Sequence, residues 1–125
     1  MAARFEAYFD ERPQPKGRPR FVKGRSITPT ATREYEATLV YWMRQEAVRN
    51  AWVMPDTTDV DVHIKLFFEH SGKPPGDVDN YAKAITDAAN GVLYRDDRQI
   101  RRLTVERVTT RTEEGFWLTV SEAVA

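Results

Sequence analysis

Apolar and polar positions alternate along two stretches of the chain. Phe5, Ala7 and Phe9 fall on one side of Arg4–Phe9, the period-two spacing of a half-buried strand. Val60, Val62, Ile64, Leu66 and Phe68 alternate with Asp61, His63, Lys65 and Phe67, the cleanest strand in the sequence, with His63 on its polar face. Between them, Pro13, Pro15, Pro19, Pro29, Gly17 and Gly24 exclude helix and break strands, so residues 13–30 read as a long loop. A helix follows, capped by Thr30 or Thr32 and running to about residue 50. Its core stripe is Tyr35, Leu39, Trp42, Met43 and Ala47. The turn-rich HSGKPPG leads into a second helix over 79–90, which buries Tyr81, Ala84, Ile85 and Ala88. Asp79, Lys83, Thr86 and Asn90 lie on its opposite side, and Asn90-Gly91 is its left-handed stop. Residues 98–108 and 116–122 read as two strands joined in a hairpin through 109–115. The order β-α-β-α-β-β predicts a single α+β domain over residues 1–125, a mixed sheet with helices packed on it.

Composition narrows the chemistry. The chain has 125 residues, enough for one domain with a hydrophobic core. No apolar run approaches the roughly 20 residues of a membrane helix, and the N-terminus lacks the basic and apolar regions of a signal peptide. A cytoplasmic location is the default expectation. There is no cysteine, and His63 and His70 are the only histidines, so disulfides, thiolate nucleophiles and histidine- or cysteine-rich zinc sites drop out. Any metal would be held by oxygen, which favours Mg²⁺, Mn²⁺ or Ca²⁺.

The net charge of zero hides a segregation. From Arg12 to Arg33 the chain carries Arg12, Lys16, Arg18, Arg20, Lys23, Arg25 and Arg33 and no acidic residue. Subtracting these seven from 19 leaves 12 basic against 19 acidic residues elsewhere, a net of −7. Asp77, Asp79, Asp87, Asp96 and Asp97 crowd one short stretch, against Lys83 and Arg95. A basic arm beside an acidic centre suits phosphates bound next to a cation; a solvated basic loop is the plain alternative.

Asp77 and Asp79 stand at the mouth of the second helix, where one carboxylate would serve as a cap. The turn RDDR at 95–98 can return Asp96 and Asp97 to the same end of the sheet. Three or four gathered carboxylates repel one another unless protons or a cation intervene, and a hard divalent ion is the natural resident. An EF-hand does not fit, since Tyr81 and Ala82 stand where an Asp or Asn and a Gly are needed. On spacing alone the Asp-x-Asp pair also suits an enzyme of nucleotides or sugar phosphates, although no phosphate-cradling glycine loop is present. An assembly protein using an apolar strand face would explain neither charge cluster.

The run GDVDNYAKAITDAANGVLYRDDRQI (76–100), with PKGRPRF (15–21) and TREYE (32–36) upstream, resembles the RusA family of Holliday junction resolvases, often encoded by phages and prophages. Tyr81 departs from the aliphatic residue more usual at its position, and the segment before Gly76 is not rich in arginine. The resemblance implies Asp77, Asp79 and Asp97 as catalytic, metal-holding carboxylates, with Asp96 ranked behind Asp97. It implies Lys83 as the functional lysine, Asn80 as a supporting residue orienting Asp79 or the turn, Mg²⁺ as cofactor with Mn²⁺ as a substitute, and a homodimer acting on four-way or other branched DNA. Lys83 can instead serve only to neutralise Asp79 and Asp87. Lys16, Arg18, Arg20, Lys23, Arg25 and Lys73 are the expected DNA contacts, touching phosphates without reading bases. Phe21 can stack on an opened base or anchor the loop in the core, and the core role is the expected one. A relative that grips branched DNA without cutting it is the runner-up reading.

Overall fold

In the computed structural model the described residues are 3–17, 20–69, 76–110 and 112–123, with Arg20 described by its backbone. Strand β1 (Arg4–Phe9) leads into a ribbon of two short strands, β2 (Arg20–Val22) and β3 (Arg25–Ile27). Helix α1 (Thr30–Arg49), strand β4 (Val60–Phe68), helix α2 (Val78–Ala89), a 3-10 turn (Asp97–Gln99) and strands β5 (Ile100–Thr109) and β6 (Gly115–Glu122) follow. The architecture is α+β: a four-stranded mixed sheet in the order β1-β6-β4-β5, packed by the two helices, with the β2-β3 ribbon separate.

The alternation in β4 reports its environment faithfully. Val60, Val62, Ile64, Leu66 and Phe68 are buried, while His63 is exposed with Nε2 3.0 Å from Glu106 Oε1. Around them pack Phe5, Ala7 and Phe9 of β1, Phe116, Leu118 and Val120 of β6, Leu39 and Met43 of α1, and Ala84, Ile85 and Ala88 of α2. Phe9 and Phe116 stack at 4.9 Å between ring centres. Among the described residues, no helix is long and apolar enough to cross a membrane.

The expected hairpin between the last two strands is not formed. β5 pairs with β4 in parallel and β6 pairs with β4 antiparallel, so the link between β5 and β6 crosses the end of β4. Thr110 N donates to Phe68 O at 2.8 Å at that crossing. The most apolar strand takes two neighbours, and β5, with Arg101, Arg102, Glu106 and Arg107, lies at the edge, where charged side chains discourage further pairing.

Three local expectations also change. Residues 13–30 are not all loop: Lys23 (φ 52°) and Gly24 (φ 76°) form a two-residue left-handed turn that closes the β2-β3 ribbon. Neither Thr30 nor Thr32 caps α1. Pro29 holds the cap position, and Thr32, buried, accepts a hydrogen bond from Gly17 N at 3.0 Å. Trp42 remains 44% exposed against Tyr41, because the buried stripe of α1 is the narrower Thr32, Tyr35, Leu39, Met43 series.

Helix α2 starts one residue earlier than its periodicity suggests and ends at Asn90-Gly91, with the left-handed residue being Gly91 (φ 80°). Thr86, expected on the polar side, is buried, since Leu93 and Tyr94 fold under the end of the helix. The Tyr94 hydroxyl donates to Thr86 O at 2.8 Å. Tyr81 is buried edge-on against Phe68 at 5.2 Å, so its aromatic ring fills core space between β4 and α2.

Candidate functional site

Gly76, in the left-handed region at φ 93°, turns the chain into α2. A side chain there would press on Pro15, 3.2 Å away, and rest in ordinary contact with the Tyr81 ring. Asp77 then takes the N-cap position with extended backbone, and its carbonyl receives the N–H groups of Asn80 and Tyr81. Its carboxylate makes no cap hydrogen bond. Asp79 stands in the first turn, where a negative charge is favoured by the helix dipole. Both are exposed, and among the described residues neither has an ion-pair partner within 4.0 Å.

Farther along the same helix the charges are paired. Lys83 Nζ lies 3.1 Å from Asp87 Oδ1, one turn on, and 4.0 Å from Asp97 Oδ2, with its side chain 54% exposed. Asp87 also accepts from Lys16 Nζ at 3.0 Å, and Lys16 reaches Glu36 Oε2 of α1 at 2.6 Å. Burial opposes the charge on Lys16, but the hydrogen bonds to Glu36 and Asp87 outweigh it and hold the ammonium pKa above the ordinary lysine value. Under the helix, burial pushes the Tyr94 hydroxyl pKa up, and the negative charges of Asp97 and Asp87 add to the effect.

Asp96 and Asp97 divide their roles at the 3-10 turn. Asp96 accepts Arg98 N at 3.0 Å and, with Gln99, closes a capping box; its carboxyl is held below the ordinary value by that backbone hydrogen bond, then by Asp97. Asp97, one residue on, turns toward Lys83. The expected gathering of three or four carboxylates at one end of the sheet is absent. Among the described residues no group of three or more His, Asp or Glu side chains is close enough to hold a metal ion. Asp77 and Asp79 stand at the start of α2, Asp87 is held near its end by Lys16 and Lys83, and Asp96 is folded into its own capping box, so the carboxylates are taken up at separate places.

The donor set still suits one class of ion. Mg²⁺ is typically bound through one or two carboxylates, completing its shell with water and substrate phosphate, and needs no protein cage. Asp77 and Asp79 offer hard oxygens of that kind, as does Asp97, which Lys83 approaches only to 4.0 Å, whereas Asp87 and Glu36 are engaged by lysine at 3.1 Å or less.

The basic segment divides in two. Its first part is strapped to the helices: Lys16 N donates to Asn80 O at 3.1 Å, Asn80 Nδ2 donates back to Lys16 O at 3.2 Å, and Gly17 abuts Thr32 and Pro29. Asn80 therefore orients the strap rather than Asp79. The second part is the ribbon, with Lys23 and Arg25 exposed and Phe21 80% exposed. The core role expected of Phe21 is not observed, because the ribbon stands off the sheet. Arg18 and Lys73 lie outside the described residues.

Two residues gain roles that periodicity does not supply. Gln99, buried, donates to Pro55 O and Thr58 O at 3.2 and 2.9 Å and accepts Asp96 N at 2.9 Å, fixing the turn that carries Asp97. Its signal was a glutamine at a fixed offset from two aspartates. Glu36 balances Lys16, and nothing local in the sequence marks a pairing across 20 residues.

Compared with known proteins, the chain matches the family model described as Endodeoxyribonuclease RusA over residues 10–119. No curated protein matches it.

Proposed function

The chain belongs to the RusA endodeoxyribonuclease family, and from that membership we propose that it resolves Holliday junctions by Mg²⁺-dependent hydrolysis of phosphodiesters in two strands of like polarity. The reading includes a homodimer, whose two-fold axis matches the approximate symmetry of a four-way junction. It treats the chain as one endonuclease domain working in the cytoplasm of a bacterial or phage-infected cell.

The observation that carries the reading is the sorting of charge along α2. Asp87 is engaged by Lys16 and Lys83, while Asp77 and Asp79 present oxygens without an ion-pair partner among the described residues. Mg²⁺, when bound, supplies Lewis-acid polarisation of the scissile phosphate and a lowered pKa for the attacking water. Asp77, Asp79 and Asp97 would hold it, one or two of them at a time, with the phosphate itself among the ligands. Asp96, engaged by its own turn, contributes by aiming Asp97. Lys83 reaches outward from between Asp87 and Asp97 and meets the charge that grows on the phosphate during cleavage. Gln99 and the Lys16 strap keep these groups at fixed separations. Lys23, Arg25 and Arg20 of the ribbon, with Arg18 and Lys73, add phosphate contacts that orient the DNA.

The deciding assay compares a labelled four-way junction with its matching linear duplex, each with Mg²⁺ and with chelator, for the natural protein and Asp79→Asn. Paired nicks on the junction alone, dependent on Mg²⁺ and lost in the variant while junction binding persists, are the expected result. Junction binding without any cut would replace the enzyme with a binding-only relative. Equal cutting by Asp79→Asn would remove the carboxylate role.

A further inference from the structure

Phe21 has no task in the chemistry above, and its setting is unusual. It is an aromatic residue 80% exposed on a ribbon of three paired residues per strand. Its cross-strand partner is Ser26, too small to cover the ring. The turn at its tip carries Lys23 and Gly24, followed by Arg25, and the whole segment from Arg12 to Arg33 lacks an acidic residue. Val22 and Ile27, on the other face, are also exposed, at 47% and 41%. Phe21, Val22 and Ile27 together leave this small ribbon apolar on both faces amid cations, and exposed apolar surface rimmed by polar residues marks an interaction site.

The ribbon's base is clamped beside the acidic helix. Gly17 N is bonded to Thr32 Oγ1, so the chain leaves and rejoins the body at one neck. Lys16, next to that neck, is bonded to Asp87. Phe21 is five residues from Lys16, so the intervening chain spans at most about 18 Å. At 3.4 Å per nucleotide step along a strand, that is about five steps.

We propose that Phe21 is a wedge of the β2-β3 ribbon that stacks on a nucleobase unpaired at the branch point of the DNA substrate. The inference rests on the junction-resolving reading above. Charge complementarity selects the occupant: the cations around the ring meet phosphates, and the ring meets the π-face that every base offers irrespective of sequence. A fully paired linear duplex offers no free base face without unstacking, so the wedge favours branched over linear DNA.

The test uses the full chain with chelator present, so that nothing is cut, and a synthetic four-way junction carrying 2-aminopurine at the branch point, beside its linear duplex. Phe21→Ala is expected to weaken junction binding about 5- to 150-fold, the loss of one base–aromatic stack. Linear-duplex binding and the salt slope of both should stay unchanged, since no charge is removed. The 2-aminopurine signal should fall away with Phe21→Ala and return with Phe21→Trp. Because the ring is exposed, thermal melting should not move. Equal losses on junction and duplex, or an unchanged junction affinity, would overturn the wedge. So would a Phe21→Ala variant that changes oligomeric state and leaves the aminopurine signal intact, since the ring would then belong to a contact between copies. A natural protein without junction preference would overturn the resolvase reading itself, which keeps the two failures apart.

Discussion

Lys16 and Lys83 both touch Asp87, yet their surroundings assign them opposite duties. Lys16 has a side chain only 23% exposed and ties Glu36 of α1 to Asp87 of α2. Removing it leaves Glu36 without that partner in a part-buried setting, so Lys16→Ala should cost about 1–3 kcal/mol. Its folded pKa is raised, so the stabilisation is complete below the ordinary lysine value of 10.5 and is lost only as pH rises through the higher folded value. A melt at neutral pH therefore reports it in full. Lys83 is more than half exposed, and its (i, i+4) pair with Asp87 contributes no more than about 0.5 kcal/mol. Lys83→Ala should leave the melt nearly unmoved and slow single-turnover junction cleavage about 100-fold or more, the scale seen when one preorganised charge is removed from a transition state. Should Lys83→Ala cut at the natural rate, the lysine only neutralises Asp87 and Asp97.

At the level of elements, what the sequence discloses depends on how local the cause is. β4 and α2 are legible because burial writes a period of two or 3.6 directly into side-chain order. The partner of β5 is not legible, because it depends on which strand most needs covering on both sides, a comparison across the whole sheet. The ribbon hides within a run of prolines and glycines that punctuate rather than forbid pairing, and the Lys16–Glu36–Asp87 cluster joins residues that share no local pattern. The candidate aspartates form a motif in the sequence, but which carboxylates are tied up by lysine, Asp87 by Lys16 and Lys83, depends on contacts that the motif does not contain. The parallel pairing of β4 with β5 can be tested through Asp61, which accepts from Arg101 Nε at 3.0 Å and Nη2 at 3.3 Å across the two strands. The Arg101 hydrogen bond, then its charge and that of Arg102, hold the Asp61 carboxyl below its ordinary value of 3.8. The sign follows: stability from this clamp is present above 3.8 and disappears as pH falls through the lower folded value. Urea midpoints of the natural protein and Asp61→Asn should differ by a constant amount from pH 7 to about 5 and converge at the acid end. A gap that persists undiminished at pH 2 would mean the clamp is not ionic.

For the whole molecule, the separation of charge matters more than its sum. A net charge of zero gives no long-range pull on DNA, yet the segment from Arg12 to Arg33 is purely basic while the remainder is net −7. Part of that basic charge is already matched inside the fold: Lys16 faces Glu36 and Asp87, and Arg12 lies 3.5 Å from Glu114. Lys23 and Arg25 on the ribbon have no ion-pair partner among the described residues. Counterion release depends on cations that reach phosphate, so a count of lysines and arginines overstates the DNA contact. Each of Lys23→Ala and Arg25→Ala should lower the slope of log affinity against log salt by about 0.9 on duplex DNA, uniformly across sequences. Lys16→Ala should leave that slope nearly unchanged while lowering the melting temperature, because its ammonium is held by two carboxylates. Slopes measured by fluorescence anisotropy between 50 and about 200 mM salt separate the cases. If Lys16→Ala reduced the slope as much as Lys23→Ala does, Lys16 would have to leave Glu36 and Asp87 when DNA binds. The strap would then be a contact exchanged for phosphate rather than a fixed part of the fold.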